Sequence, residues 1–183
     1  MIEAIRLLLE KSKRDRQILA IDGRCGAGKT TLARRLEEEM TASGQTVFVA
    51  HTDDYTLPFD RRTEAVAGHM DFLRLKEELL FPFFAGEDAL YRPFAPHEDR
   101  LLPESLVPAR GILILEGAYS THPILRPYLS CSIFLDIASD KQQARLLARN
   151  PERFDAFCSR WIPAEEAYIK ETDPIFFCDL YSK

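Results

Sequence analysis

The chain has 183 residues and a formal net charge of −5, and 46% of its residues are hydrophobic. This size and composition predict one globular domain with its own core, whereas the acidic balance excludes a dominant nucleic-acid surface. No apolar run is long enough to cross a membrane, and the N-terminus lacks the pattern of a signal peptide. The four cysteines have neither metal-ligand nor C-x-x-C spacing,. We therefore expect a cytoplasmic protein with free thiols and with no nucleic-acid or membrane partner.

The N-terminal part is predicted to contain a helix and then a buried strand. Apolar residues at positions 2, 5, 8 and 9 have helical spacing,. This helix could form a contact in a homo-oligomer or could cap the sheet, and the sequence leaves both interpretations open. The run QILAI at 17–21 is continuously apolar and is bounded by charge and glycine, which is typical of a buried parallel strand.

Three glycines and a lysine follow this strand in the segment GRCGAGKT at 23–30, which matches the phosphate-binding pattern G-x-x-x-x-G-K-[ST]. Glycines let backbone N–H groups wrap around a phosphate chain, and the following helix adds its positive end. Lys29 is expected to neutralise β- and γ-phosphate oxygens, and the Thr30 hydroxyl is expected to reach Mg²⁺. We predict a site for ATP and Mg²⁺. Its nucleotide-binding residues are Gly23, Arg24, Cys25, Gly26, Ala27, Gly28, Lys29, Thr30 and Thr31.

Acidic residues follow the next two predicted strands, TVFVA at 46–50 and GILILEG at 111–117. Ligands of open α/β sheets bind beyond the carboxyl ends of the strands, so Asp53, Asp54 and Glu116 are candidate site residues. Glu116 would hold Mg²⁺ directly or through water, and one aspartate would accept a proton from a substrate hydroxyl. The alternatives are a solvated strand-end acid for Glu116 and a turn-capping role for the aspartates.

The segment at about 55–110 is rich in proline and is predicted to be an insertion over one edge of the sheet. Within it, Phe72, Leu75, Leu79 and Phe83 have helical spacing, and Pro82 is expected to limit that helix. The irregular character of this segment is typical of a cover for a substrate and not of a switch loop.

The C-terminal part is predicted to begin with a fourth strand, CSIFLDI at 131–137, and a helix whose Ser139 and Gln142 have capping-box spacing,. Arg145, Arg149 and Arg153 recur every four residues, so the first two share a helical face. They could form a lid at about 145–162 that offsets charge on a transferring phosphate, or they could form a solvated basic face. Another helix is expected near Pro163, and the run IFFCDL at 175–180 is a candidate fifth strand.

Strands that alternate with helices predict an α/β fold with a mostly parallel five-stranded sheet and helices on both faces. The segments DGRCGAGKTTL, HTDDY, YRPF and ILILEGAY resemble those of the uridine kinase and phosphoribulokinase-like branch of P-loop kinases. The resemblance covers about residues 17–180. It implies a three-layer P-loop NTPase fold with a lid, in a single kinase domain over 1–183 that uses Mg-ATP to phosphorylate a hydroxyl.

The resemblance also implies roles for individual residues. Asp53 matches the catalytic aspartate, because an aromatic residue, Tyr55, lies two positions later, and Glu116 matches a metal-associated acid. The same comparison gives the catalytic residues as Asp53, Lys29, Arg145 and Arg149, with Arg153 in the lid. The metal residues are Thr30, Glu116 and Asp53. The substrate-binding residues are Tyr55, Asp71 as a sugar-hydroxyl contact, and Tyr91 and His97 as a wall beside the base.

The expected acceptor is the 5′-hydroxyl of a pyrimidine nucleoside, uridine or cytidine. A nucleoside monophosphate or a vitamin-like alcohol is the main alternative. A nucleotide-dependent switch or binding protein is a third interpretation, but the sequence has no N-K-x-D motif for guanine. Cys25 lies inside the phosphate loop, and we hypothesise that its oxidation would affect ATP binding.

Overall fold

Five parallel strands form the central sheet of the computed structural model, which describes residues 1–12 and 14–183. The order across the sheet is β2-β7-β1-β8-β9, and every neighbouring pair is parallel. Two small antiparallel pairs, β3 with β6 and β4 with β5, lie outside it. The strands are β1 (Arg16–Gly23), β2 (Val47–His51), β3 (Ala89–Tyr91), β4 (Phe94–Ala95), β5 (Arg100–Leu101), β6 (Ser105–Val107), β7 (Gly111–Glu116), β8 (Cys131–Leu135) and β9 (Leu180–Ser182).

Helices cover both faces of this sheet, which confirms the predicted three-layer α/β architecture. Strands β1, β7 and β8 are almost wholly buried, because each has helices on both of its faces, and this explains their continuous apolar runs. The helices are α1 (Ile2–Ser12), α2 (Lys29–Ala42), α3 (Phe72–Leu75), α4 (Phe81–Ala85), α5 (Ser139–Arg149), α6 (Phe154–Ala156), α7 (Ile162–Thr172) and α8 (Pro174–Phe177). No helix in the described residues has the length and apolar character needed to cross a membrane.

Helices α1 and α2 pack together on one face of the sheet. Ile5 and Leu9 of α1 and Leu36 of α2 join a buried cluster with residues of β1, β7 and β8. The predicted N-terminal helix is therefore present, and its apolar stripe lies against the sheet, as the capping interpretation requires. The other face is covered by the segment between β2 and β7, whose Leu75 and Phe83 join a second cluster with Leu113 of β7.

The helix around Pro82 does not end where the sequence analysis expected. It runs from α3 through a π-helical turn at Lys76–Leu80 into α4, with Pro82 in the first turn of α4. Pro82 thus directly follows the π-helical turn, where the regular α-helical hydrogen-bond pattern that proline cannot complete is already interrupted. The helix ends instead at Gly86, which has a left-handed backbone with φ 87°,.

The C-terminal apolar run was also predicted incorrectly. Residues Pro174–Phe177 form helix α8, and the fifth strand starts only at Leu180. Pro174 occupies the first turn of α8, and the Asp173 side chain accepts a hydrogen bond from the N–H of Phe176. This cap and the proline favour a helical turn over the strand that the apolar letters alone suggest.

Candidate active site

The glycine-rich loop leaves β1 and enters α2 at the carboxyl end of the sheet. A Cβ atom on Gly23 would lie 2.0 Å from the carbonyl oxygen of Leu135 in β8, so only glycine allows this close approach. Gly26 and Gly28 have left-handed backbones, with φ 77° and 104°, a conformation that glycine adopts without strain. Gly28 precedes Lys29, the first residue of α2. The loop thus presents backbone N–H groups at a helix N-terminus, which is the arrangement that binds phosphate.

Polar side chains from α2 and β7 meet beside this loop. Lys29 Nζ donates to the carbonyl oxygens of Gly23 and Arg24, at 2.7 and 3.0 Å. The Thr30 hydroxyl donates to Oε1 of Glu116 at 3.0 Å. Thr30 and Glu116 provide oxygen ligands of the kind that Mg²⁺ prefers, so these residues fit the metal that the sequence predicts. No group of three or more His, Cys, Asp or Glu side chains suited to a metal occurs among the described residues.

His51 is a neighbour of Glu116 that the sequence analysis did not identify. The two residues pair across β2 and β7, and His51 Nδ1 donates to the same Glu116 oxygen at 2.6 Å. This hydrogen bond raises the pKa of His51 above its ordinary value, which favours a cationic imidazole beside the carboxylate. His51 and Thr30 thus both hold the same carboxylate oxygen of Glu116.

Asp53 lies in the short turn Thr52–Asp54 that follows β2. The turn is fixed because the Thr52 hydroxyl donates to the Ala118 carbonyl at 2.9 Å, next to Gly117, where a Cβ would clash with Thr52. Asp53 is exposed to solvent, but the protein atoms around it displace part of its hydration, and this desolvation is the main cause that raises the pKa of its carboxyl. The charge of Lys29 acts in the opposite direction, and the charge of Glu116 adds to the increase.

The neighbouring Asp54 has a different environment. Its carboxylate accepts a hydrogen bond from the hydroxyl of Tyr91, and that hydroxyl also accepts from the backbone N–H of His51 at 3.3 Å. Among the described contacts, the Asp53 carboxylate accepts no hydrogen bond, so it is available to a ligand. The two adjacent aspartates carry the same charge in the sequence, but in the structure Asp54 is bonded to Tyr91 and Asp53 is available to a ligand.

Most of the residues predicted to bind the acceptor instead contact other residues of the protein. Tyr55 is 0% exposed and is a core residue, so the prediction that its side chain contacts substrate is wrong. The Arg74 guanidinium lies over its ring at 4.3 Å. Asp71 caps α3 by accepting from the Arg74 N–H at 3.2 Å. Tyr91 is nearly buried against Asp54, while His97 is exposed in the β4–β5 hairpin.

The predicted lid arginines are placed differently from one another. Arg145 in α5 donates to the Gly26 carbonyl of the phosphate loop at 2.9 Å. Arg149, at the end of α5, donates through Nε to its neighbour Asn150, and Arg153 lies in the short turn Pro151–Arg153. All three are exposed. The structure thus brings one of the three to the phosphate loop, whereas the catalytic role of Arg149 and the lid role of Arg153 stay predictions.

Two buried acids at the site were not identified from the sequence. Asp22, which is 1% exposed, accepts from the N–H of Gly23 and Tyr119 and from the Thr121 N–H, Thr121 hydroxyl and Tyr168 hydroxyl. It joins β1 to the loop after β7 and to α7. The available signal was an acid inside an apolar strand, because such an acid must find partners when it is buried.

The second buried acid is Glu165 of α7, which accepts from the Cys25 N–H at 2.8 Å. The predicted capping box is wrong, since Gln142 points to this network instead: its amide donates to the Cys25 carbonyl at 3.1 Å. Burial and the Glu165 charge raise the pKa of Cys25 to about 12. The thiol is therefore protonated at neutral pH, which argues against the hypothesis of an oxidation-sensitive Cys25.

His69 lies beside the site with a strongly shifted pKa. Its ring packs against Tyr119 at 5.2 Å and Trp161 at 5.7 Å. Burial lowers its pKa to about 4, and the charges of Arg62 and Arg160 act in the same direction. In the unfolded chain, His69 binds a proton below about pH 6.5, whereas in the folded protein it does so only at a lower pH. Protonation of His69 therefore favours the unfolded state.

We expect the stability of the parent protein to fall as the pH drops from about 6.5 to about 4. Between pH 7 and 5, His69 should account for about 2 kcal/mol of this loss. Urea unfolding at both pH values would show a smaller loss for His69→Gln, whereas His97→Gln, an exposed control, should behave as the parent does. An equal pH dependence in parent and His69→Gln would contradict the assignment.

Comparison with solved structures identifies proteins of the same fold. A possible uridine kinase from Bacillus stearothermophilus matches with TM-score 0.77 and 21% identity, over 100% of this chain and 97% of that chain. A protein from Silicibacter sp. TM1040, assigned only provisionally as a fructose transport system kinase, matches with TM-score 0.70 and 21% identity, over 100% and 99%. D-glycerate 3-kinase from Cryptococcus neoformans matches with TM-score 0.61 and 14% identity, over 91% and 87%.

No protein-family profile and no curated protein sequence matches the chain. The structural likeness confirms the predicted P-loop NTPase fold and its similarity to P-loop kinases of the uridine kinase type. At 21% identity or below, the likeness concerns the fold, and the activity has to be argued from the site itself.

Proposed function

We propose that the protein is an ATP-dependent phosphotransferase that moves the γ-phosphoryl group to a hydroxyl of a small molecule. The observation that carries this proposal is the environment of Asp53. Its carboxylate is open to solvent, is influenced by the charge of Lys29, and has a raised pKa. A base beside a phosphate-binding loop suits an alcohol acceptor, because the alcohol must lose its proton.

In the proposed reaction the acceptor oxygen forms a bond to the γ-phosphorus. The bond from this phosphorus to the bridging oxygen breaks, so that ADP leaves, and the hydroxyl proton goes to Asp53. Lys29 and the loop N–H groups offset the phosphate charge, and Arg145 is placed to add to this effect. Thr30 and Glu116 would hold Mg²⁺, which offsets charge on the phosphate oxygens when it is bound.

Two acceptor classes are candidates. A pyrimidine nucleoside is the first, and the uridine kinase-like fold supports it. The second is a nucleoside monophosphate or a vitamin-like alcohol. The second class is favoured by the burial of Tyr55 and by the hydrogen bond between Tyr91 and Asp54. These contacts engage two of the side chains that the resemblance assigned to nucleoside binding. We place the activity in the cytoplasm, where free cysteines such as those of this chain stay reduced,.

The proposal is tested with purified protein, Mg-ATP and a panel of nucleosides, nucleoside monophosphates, sugars and pantothenate-like alcohols. ADP release and acceptor mass are followed together, and a reaction without acceptor measures ATP hydrolysis alone. We expect one acceptor class to gain a phosphate group. ATP binding with no acceptor phosphorylated would favour a nucleotide-binding protein and contradict the proposed activity.

A further inference from the structure

Two arginines near His69 have no acidic partner among the described residues. Arg62 donates through Nε to the Leu57 carbonyl at 2.8 Å, and its guanidinium lies 4.1 Å from the ring centre of Phe59. Arg160 lies 5.0 Å from the ring centre of Trp161. Some other arginines of the described chain, such as Arg24, Arg74 and Arg92, form ion pairs with acids. The contacts described for these two are a carbonyl and aromatic rings, so neither positive charge is paired with an acid of the described residues.

Both arginines contact residues that lie next to His69. The N–H of Leu57 donates to the carbonyl of His69 at 2.8 Å, so the contact that holds Arg62 adjoins the His69 backbone. The ring of His69 packs on Trp161, which holds Arg160. Arg62 comes from the segment between β2 and β7, while Arg160 comes from the turn Phe157–Trp161 before α7. Two segments that are distant in the sequence thus place cations around one histidine.

This region adjoins the proposed reaction site. Tyr119, which packs on His69, follows Glu116 by three residues and donates its N–H to Asp22. Leu57, the anchor of Arg62, follows Asp53 by four residues. The pKa of Tyr119 is raised mainly by burial, with an added contribution from Asp53. Both arginines are therefore connected, through His69 and Tyr119, to the neighbourhood of Asp53.

Arg62 is half-buried, and a half-buried arginine without a counter-ion is costly to keep, whereas Arg160 is exposed. Burial and the charge of Arg160 lower the pKa of Arg62. An anion between the two side chains would relieve this cost, and guanidinium groups bind phosphate and carboxylate through paired N–H donors.

We propose that Arg62 and Arg160 form an anion subsite for the acceptor, so that the acceptor is a small alcohol that carries a phosphate or carboxylate group. This inference rests on the proposed function and narrows its second acceptor class. The anion would lie between the segment that covers the site and the turn before α7, and it would fix the hydroxyl end of the acceptor toward Asp53.

The first test compares matched acceptors that keep the hydroxyl but differ in charge: glycerol with glycerate, and pantothenol with pantothenate. We expect an anionic member to have the higher kcat/KM. Arg62→Ala and Arg160→Ala should each lower kcat/KM for that acceptor about 10- to 100-fold, mainly through KM. The KM for ATP should not change, and Arg62→Lys should recover part of the loss. Arg61→Ala and Lys170→Ala, which change exposed cations, are the controls.

Two kinetic outcomes would overturn the inference. A rise in the KM for ATP would mean that the arginines act on the nucleotide. Equal losses with charged and neutral acceptors would mean that they support the fold.

A binding measurement separates this inference from the proposed function. Protein saturated with Mg²⁺ and a non-hydrolysable ATP analogue is titrated with inorganic phosphate, so that the phosphate loop is already filled. We expect phosphate binding that Arg62→Ala and Arg160→Ala weaken about 10-fold or more and that Arg61→Ala leaves unchanged. Absence of this binding in the parent protein would overturn the inference, even if a neutral acceptor is phosphorylated. Its presence would support the subsite even if no acceptor in the panel reacts.

Discussion

Asp53→Asn is expected to fold and to bind Mg-ATP as the parent protein does, but to transfer the phosphoryl group about 10²- to 10⁴-fold more slowly. The amide has the size of the carboxylate but cannot take up the proton of the acceptor hydroxyl. Folding should be unaffected, because the Asp53 carboxylate has no hydrogen bond within the described residues and is open to solvent. Steady-state kinetics and a nucleotide titration measure the two effects separately.

Asp54→Asn is the matched control for this substitution. Asp54 has the same charge and is the next residue, but its carboxylate accepts the hydrogen bond of Tyr91. The control should therefore retain most of the transfer rate. Turnover like that of the parent in Asp53→Asn, or an equal loss in Asp54→Asn, would assign the proton acceptor elsewhere.

Asp22→Asn is expected to lower the free energy of unfolding by about 3 kcal/mol. The Asp22 Oδ2 atom accepts from the Thr121 N–H at 2.9 Å, the Thr121 hydroxyl at 2.5 Å and the Tyr168 hydroxyl at 2.7 Å. In asparagine one carboxylate oxygen is replaced by an NH₂ group, which is a donor. In either orientation of the amide, this group would face N–H or O–H donors and could not accept from them. Buried donors left without acceptors are costly because they have also lost water.

Urea unfolding of Asp22→Asn and of a surface control measures this effect. Asp155→Asn removes the same charge from an exposed position and should change the stability by no more than about 0.5 kcal/mol. A free energy of unfolding for Asp22→Asn within that range would show that the network does not stabilise the fold. A large loss would show that β1, the loop after β7 and α7 are joined through this one carboxylate.

The parts of the fold predicted correctly are those that local sequence determines. The apolar runs of β1, β7 and β8 each indicate a strand covered on both faces, and the spacing of three glycines and a lysine indicates the phosphate loop. Errors occurred where a local pattern fits two structures. The run after Pro174 is apolar enough for a strand, but the Asp173 cap turns it into a helix.

The candidate site was predictable only in part, because its partners are distant in the sequence. Glu165 reaches Cys25 across 140 residues, and Tyr168 reaches Asp22 across 146. No spacing rule links such positions. The burial of Tyr55 could not be predicted from the sequence either, because a tyrosine at this position could face either a ligand or the core. Asp53 and Glu116 were found because both follow buried strands, whose carboxyl ends meet at one edge of the sheet.

The most direct test of the proposed transfer uses ATP that carries a labelled γ-phosphoryl group. Parent protein and Asp53→Asn are incubated in parallel with this ATP, Mg²⁺ and the acceptor panel, and the label on each acceptor is measured over time. We expect the parent to move the label to one acceptor with a release of ADP that matches it, and Asp53→Asn to do so far more slowly while still binding ATP. Label that appears only as inorganic phosphate, or that reaches an acceptor equally fast in both proteins, would contradict a phosphotransferase in which Asp53 receives the hydroxyl proton.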